Sequence, residues 1–389
     1  MITTDSLRGR MALMVAHCAG MVDLVALPLW VGALMGHYHL DPQQAGGLAT
    51  LFLLGAVLAS TVLAPRFNRL PRRSVVVAGF SLAALAFLGV SMRTDFASMA
   101  VLHALGGVAA GAGLSVTHGT IARSVNPHRL FAIVGTALGV FSVGFFAVVP
   151  PLLASHGGGA MFQVFAGVMG FAALTSLLAF PQAEGGAAQA AAGTPAGGRP
   201  EPLSRVVWFG IVGIACMGLV QAMTFSFVER VGHARGFEVA AIASMFVALS
   251  IVNLFPTALA GLLERRLQAR SVMLVGPALQ ALLTAGIMLS MGFNTYAAAA
   301  LFLPAVMLFT HNFAFGLLAR IEPSGRALAA TPAMLMTGGA IGPVLGGTLV
   351  KTFGYGSLAV AAAIIAALAI LCFTRLPAQA LLATRRQFA

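Results

Sequence analysis

The sequence predicts an all-α integral membrane protein of twelve transmembrane helices in two pseudo-symmetric six-helix bundles. Three observations predict it. Of 389 residues, 59% are apolar and 8% charged, where a soluble domain carries about a quarter charged side chains. Apolar runs long enough to cross a bilayer, roughly 20 residues each, recur from one end to the other and lack the strict alternation of a membrane barrel. Two loop motifs also recur at one shared offset of 197 residues: "NRLPRRS" (68–74) against "RRLQARS" (265–271), and "ARSVNPHR" (122–129) against "ARIEPSGR" (319–326). A common offset at equivalent loops points to an internal duplication with parallel halves.

Taken in order, span one (about 11–35) is apolar except for His17 and Asp23. Span two (45–64) runs into the basic loop, and span three (74–92) carries no charge. Span four (96–121) holds His103, Gly107, Gly111, Ser115 and His118, while spans five (131–154) and six (161–180) are uncharged. Residues 181–205 are rich in Ala, Gly and Pro without apolar periodicity and read as a cytoplasmic linker. It separates an N-terminal bundle over 1–180 from a C-terminal bundle over 206–389. Span seven (206–228) contributes Gln221 and Thr224, and span eight (239–262) contains Pro256. Span nine (271–292) is apolar, and span ten (296–319) carries Pro304, His311 and Asn312. Span eleven (328–350) bears Gly338, Gly342, Pro343 and Gly346, and span twelve (357–374) closes the set. Pro28, Pro256, Pro304 and Pro343 each remove a backbone hydrogen bond inside a span and favour a kink.

The formal charge of +12 does not indicate nucleic acid, because its placement follows the membrane. With the N-terminus inside, 18 of the 22 basic residues fall on cytoplasmic segments, and only Arg93, Arg230, Arg235 and Lys351 fall outside. By the positive-inside rule both termini are then cytoplasmic, and the expected location is a bacterial inner membrane. Cys18, Cys216 and Cys372 lie within apolar runs and read as small core residues.

An ionised aspartate midway along span one costs about 2.5–3.5 kcal/mol on insertion scales, so taking up a proton is the cheaper state. Asp23 therefore reads as a proton or cation site, with a structural hydrogen bond as the alternative. His17 stands about 9 Å along the axis from Asp23 and roughly 120° around it, too far round to touch it within one helix. His17, His103 and His118 add imidazoles able to relay protons. No lysine or arginine occupies the middle of a span, and an anionic solute generally needs such a cation. A neutral, cationic or lipophilic small molecule fits better. Nucleophile–base pairs, zinc signatures, nucleotide loops and haem motifs are missing from the sequence, so neither enzyme activity nor a cofactor is expected. Met14, His17, Cys18 and Met21 leave copper transport open as an alternative, without a resident metal site.

Three motifs resemble the major facilitator superfamily of secondary transporters. "APRFNRLPRR" (64–73) resembles its signature Gly-x-x-x-Asp-Arg-x-Gly-Arg-Arg: Arg69, Arg72 and Arg73 stand in register, while Ala64, Asn68 and Pro71 replace Gly, Asp and Gly. "HALGGVAAG" (103–111) keeps Gly107 and Gly111 of an Arg-x-x-x-Gly-x-x-x-Gly pattern, with His103 in the arginine's place. "GGAIGPVLGG" (338–347) matches the antiporter pattern Gly-x-x-x-Gly-Pro-x-x-Gly-Gly at every fixed position, on span eleven instead of span five. The resemblance implies alternating access driven by protons, a slight lean to efflux or otherwise uptake by symport, and a monomer. It implies a cavity lined by spans one, four, seven and ten, with Trp30, Ser115, Gln221, Thr224, His311 and Asn312 facing the solute. Arg69, Arg72, Arg73, Gly107, Gly111, Gly338, Gly342, Pro343 and Gly346 are the implied moving parts. The cytoplasmic lock is expected to be weaker than usual, because Asn68 lacks the charge of the family's aspartate.

Overall fold

A computed structural model describes residues 2–181, 203–322 and 326–377, with side chains left undescribed over 326–335. Most of the expected linker lies outside the described residues. The contacts divide the chain into two compact units, Met1–Gly198 and Arg199–Ala389. Among the described residues, eleven helical segments are long and apolar enough to cross a membrane.

The first unit contains α1 (Leu7–Gly20), α2 (Val22–Gly36), α3 (Pro42–Leu63) with a 3₁₀ turn (Ala64–Arg69), α4 (Arg72–Ser91), α5 (Phe96–Ala122), α6 (Pro127–His156) and α7 (Ala160–Ala179). Polar loop residues start these helices. Ser6 accepts the Gly9 N–H, Asp95 accepts that of Ser98, and Asp41 forms a reciprocal capping box with Gln44. The core is aromatic: Trp30, Phe52, Phe87, Phe162 and Phe165 are all nearly inaccessible. Leu82, Leu85, Val101 and Leu105 remain exposed on helix exteriors, as lipid-facing positions would be.

The second unit contains α8 (Arg205–Phe225), α9 (Val228–Ala234), α10 (Val239–Val252), α11 (Pro256–Leu263), α12 (Ala269–Leu289), α13 (Phe293–Ile321), α14 (Arg326–Phe353) and α15 (Ser357–Thr374). Ile211, Ile214, Met217, Met273, Leu318 and Phe373 form its core at the basic end. Its packing repeats that of the first. There α1 meets α5, α6 and α7, α3 meets α5, and α4 meets α5 and α7. Here α8 meets α13, α14 and α15, α10 and α11 meet α13, and α12 meets α13 and α15.

One expectation about continuity changes. Pro256 begins a helix, and Pro28, Pro304 and Pro343 lie inside helices. Span one, expected as one helix, breaks at Met21 (φ −112°, ψ 11°), seven residues before its proline. The cause is local. Gly20 weakens the helix, and Asp23, a short acid, is better suited to the first turn of a helix than to its interior.

Candidate proton and solute site

Asp23 occupies the first turn of α2, directly after this break. It is 7% exposed, and its Oδ1 is buried without a hydrogen-bond partner among the described residues. A carboxylate at the start of a half-helix sits where the backbone dipole favours negative charge. The unsatisfied oxygen nevertheless leaves it short of what a buried charge requires. A proton, a cation or a donor on a bound molecule would each supply the missing contact.

The histidines separate into two kinds. His17 Nδ1 and His118 Nε2 lie 2.9 Å apart, joining α1 to α5 across 101 residues of sequence. One ring must donate and the other accept, so this bond survives a single added proton and not two. His103 was expected beside them as a proton carrier and is placed differently. Its Nδ1–H donates to the Met99 carbonyl at 2.7 Å, and its Nε2 accepts the Trp30 indole N–H at 3.3 Å. A second ring proton would set N–H against N–H, so this geometry needs the neutral ring. Trp30, expected to face the solute, is likewise a fully buried core side chain, stacked on His103 with ring centroids 5.5 Å apart.

In the second unit, Thr224 and Thr284 hydroxyls lie 3.1 Å apart, and Gln280 donates to Gln221 at 3.3 Å and to the Met217 carbonyl at 3.2 Å. These bonds tie α8 to α12. Gln280 and Thr284 escaped the sequence reading, although their i, i+4 spacing in an apolar span was the available signal. His311 and Asn312 stay on α13, hydrogen-bonded to the carbonyls of Met307 and Leu308. Ser115 is half-buried on α5.

At the basic end Arg73 donates to the Leu177 carbonyl, while Asn68 and Arg69 are exposed. The organising residue was not anticipated. Phe67 is 3% exposed, with the Arg72 guanidinium 4.7 Å and the Arg123 guanidinium 4.0 Å from its ring centre. It packs over Gly119, where an added Cβ would come within 2.4 Å of the ring. In the second unit Arg270 donates to the Thr374 carbonyl at 3.0 Å, and Arg320 pairs with Glu264 at 2.9 Å. All four positions lie 197 residues after Arg73, Leu177, Arg123 and Phe67, so the duplication seen in the loops governs side-chain contacts too. Phe67→Ala should cost about 3 kcal/mol, from the lost ring and the void it leaves. A clear fall in detergent melting temperature, largely restored by Phe67→Trp, is the expected reading.

The glycine motifs sit at close helix contacts. A Cβ on Gly107 would fall 2.0 Å from the Phe52 carbonyl oxygen, and one on Gly111 2.4 Å from Ala56 Cα. Gly338 and Gly342 bring α14 equally close to α8 at Ala215, Ala222 and Met223, and Gly346 reaches Met223 and Phe227. Pro343 is buried beside them.

The family model described as Major Facilitator Superfamily matches residues 12–321. The chain belongs to the major facilitator superfamily. It is therefore a membrane transporter and not an enzyme. No curated protein matches the sequence. Among solved structures, a bacterial homologue of the human lysosomal transporter Spinster, inward-facing and occupied, aligns with a TM-score of 0.69. The identity is 14%, over 97% of this chain and 96% of that one. A variant of the nucleoside transporter NupG aligns with the same TM-score and 14% identity, over 95% of this chain and 98% of that one. At such identities the likeness concerns the fold alone. Within the superfamily pattern, the position between Arg66 and Asn68 is left free. Phe67 was therefore invisible to motif matching, since its importance lies in what it touches.

Proposed function

We propose that this protein is a proton-coupled secondary transporter of a small neutral, cationic or lipophilic solute, working by alternating access in a bacterial inner membrane. In this reading twelve transmembrane helices form two six-helix bundles with both termini cytoplasmic, and the protein acts as a monomer. Asp23 carries the reading: a buried carboxylate with an unpartnered oxygen, next to a break in a membrane-spanning helix. Transporters place coupling sites at such discontinuous helices. Ionised, Asp23 offers charge to a cationic or donor-bearing solute. Protonated, it is neutral and lets the unloaded protein change state. The His17–His118 pair supplies a hydrogen-bonded relay between α1 and α5. His103 and Trp30 take a supporting part as core residues. Gln221, Thr224, Ser115, His311 and Asn312 remain the candidate solute contacts, and the arginine loop and glycine contacts remain the candidate moving parts.

The driving force is adequate. One proton moving down 100 mV supplies about 2.3 kcal/mol, and each pH unit adds about 1.4 kcal/mol. The lean to antiport rests on the glycine pattern of span eleven. The test is a compound screen in proteoliposomes carrying an internal pH dye. Solute addition should trigger protein-dependent proton movement in an imposed gradient. Solute flux that leaves both pH and membrane potential untouched, and ignores an imposed gradient, would reject proton coupling.

A further inference from the structure

The second unit has a partly open cavity of about 200 Å³ at its basic end, between α11, α12 and α13. Thr257, Glu264, Gln268, Arg270, Asn312 and Arg320 supply its polar lining. The first unit shows why the space exists. There Phe67 drives its ring onto Gly119 and fills the corresponding place. At the matching positions the second unit has Glu264, which is exposed, and Gly316, above which nothing lies within 4 Å among the described residues. A ring that closes one unit has been exchanged for a carboxylate that leaves the other open. The lining is also short of acceptors. Arg270 spends one N–H on the Thr374 carbonyl, yet its Nε is buried with no partner among the described residues. Arg320 spends one on Glu264 and has further N–H groups to give. Two arginines and one glutamate line the cavity, which leaves it net positive.

We infer that this cavity binds a phosphate group, held by Arg270 and Arg320. Guanidinium matches phosphate in charge and in paired hydrogen-bond geometry. The volume would hold about six waters, or one phosphate with its nearest ester atoms. The same group could arrive on an anionic phospholipid of the adjacent leaflet or on a soluble phosphorylated molecule. The site is separate from Asp23 and does not depend on proton coupling.

The full-length purified protein should be titrated in neutral detergent with dioctanoyl phosphatidylglycerol, with inorganic phosphate and with uncharged dioctanoylglycerol, bound ligand being counted by native mass spectrometry. Saturable binding of phosphatidylglycerol alone supports the site and names the bilayer as its source. Binding in which inorganic phosphate competes supports it and names a soluble source. Glu264→Phe, which rebuilds the plug of the first unit, and Arg270→Gln should each weaken binding by about tenfold or more, the loss of a charge-assisted contact. Arg265→Gln, a nearby exposed charge outside the cavity, should leave it unchanged. Melting curves confirm that each variant is folded, and Glu264→Phe keeps the test decisive if Arg270→Gln is not. Three results would overturn the inference: no binding of either phosphate probe, equal binding by folded Glu264→Phe, or an equal loss in Arg265→Gln, which would indicate diffuse surface attraction.

Discussion

Asp23→Asn should abolish transport driven by a proton gradient while the protein still folds and exchanges solute. The amide has nearly the shape of the protonated acid and cannot ionise, so it holds the site in one of its two states. Folding should not suffer, because Asp23 Oδ1 has no partner to lose, and removing an unpaired buried charge relieves a desolvation cost. The expected readings are an unchanged or raised melting temperature, intact counterflow, and a fall in gradient-driven accumulation ratio of up to about fortyfold, the factor that roughly 100 mV on one proton sustains. Asp23→Glu keeps the titrating group and should retain part of the activity. If Asp23→Asn folds and still moves solute uphill at the wild-type ratio, the carboxylate is structural. The coupling role would then pass to His17 and His118.

Gly338→Ala should be severely damaging, and Gly339→Ala beside it close to harmless. A Cβ at Gly338 would lie 2.2 Å from the Ala215 carbonyl oxygen, a backbone atom that cannot swing aside, whereas a Cβ at Gly339 meets nothing within 4 Å. Both residues lie in one helix, so propensity acts on both alike and favours alanine. Only the contact between α14 and α8 distinguishes them. Separating the helices to admit the methyl would strip contacts along that interface, at a cost on the order of 4 kcal/mol. Gly338→Ala should therefore aggregate or melt far below the wild type in size-exclusion and thermal-shift measurements, and Gly339→Ala should match it. Similar behaviour of the two variants would mean that this close approach does not support the fold.

Much of this protein was legible in one dimension because the bilayer imposes its rules on composition. Membrane-length apolar runs, basic residues gathered on alternate loops and a 197-residue repeat are all linear signals, and they sufficed for the helical class, the location of most spans and the family. Gly107, Gly111, Gly338 and Gly342 could be singled out from their spacing, since small residues every fourth position make one flat helical face. Asp23 stood out through the cost of its charge in an apolar run.

What touches what was decided only by the tertiary structure. His17 and His103 look alike in the sequence, two lone imidazoles in apolar helices. One meets a second histidine from another helix, and the other is fixed between a carbonyl and an indole. Gln280 joins Gln221 because α12 packs beside α8, which no local period encodes. The break at Met21 falls between Gly20 and the turn that holds Asp23, seven residues before the proline that the sequence marks. Phe67 and Glu264 hold equivalent places in the repeat, yet the ring fills a hollow and the carboxylate opens one. Periodicity reports which face of a helix is apolar. Which partner arrives at that face, and how near its backbone comes, depends on groups brought together from about a hundred residues away.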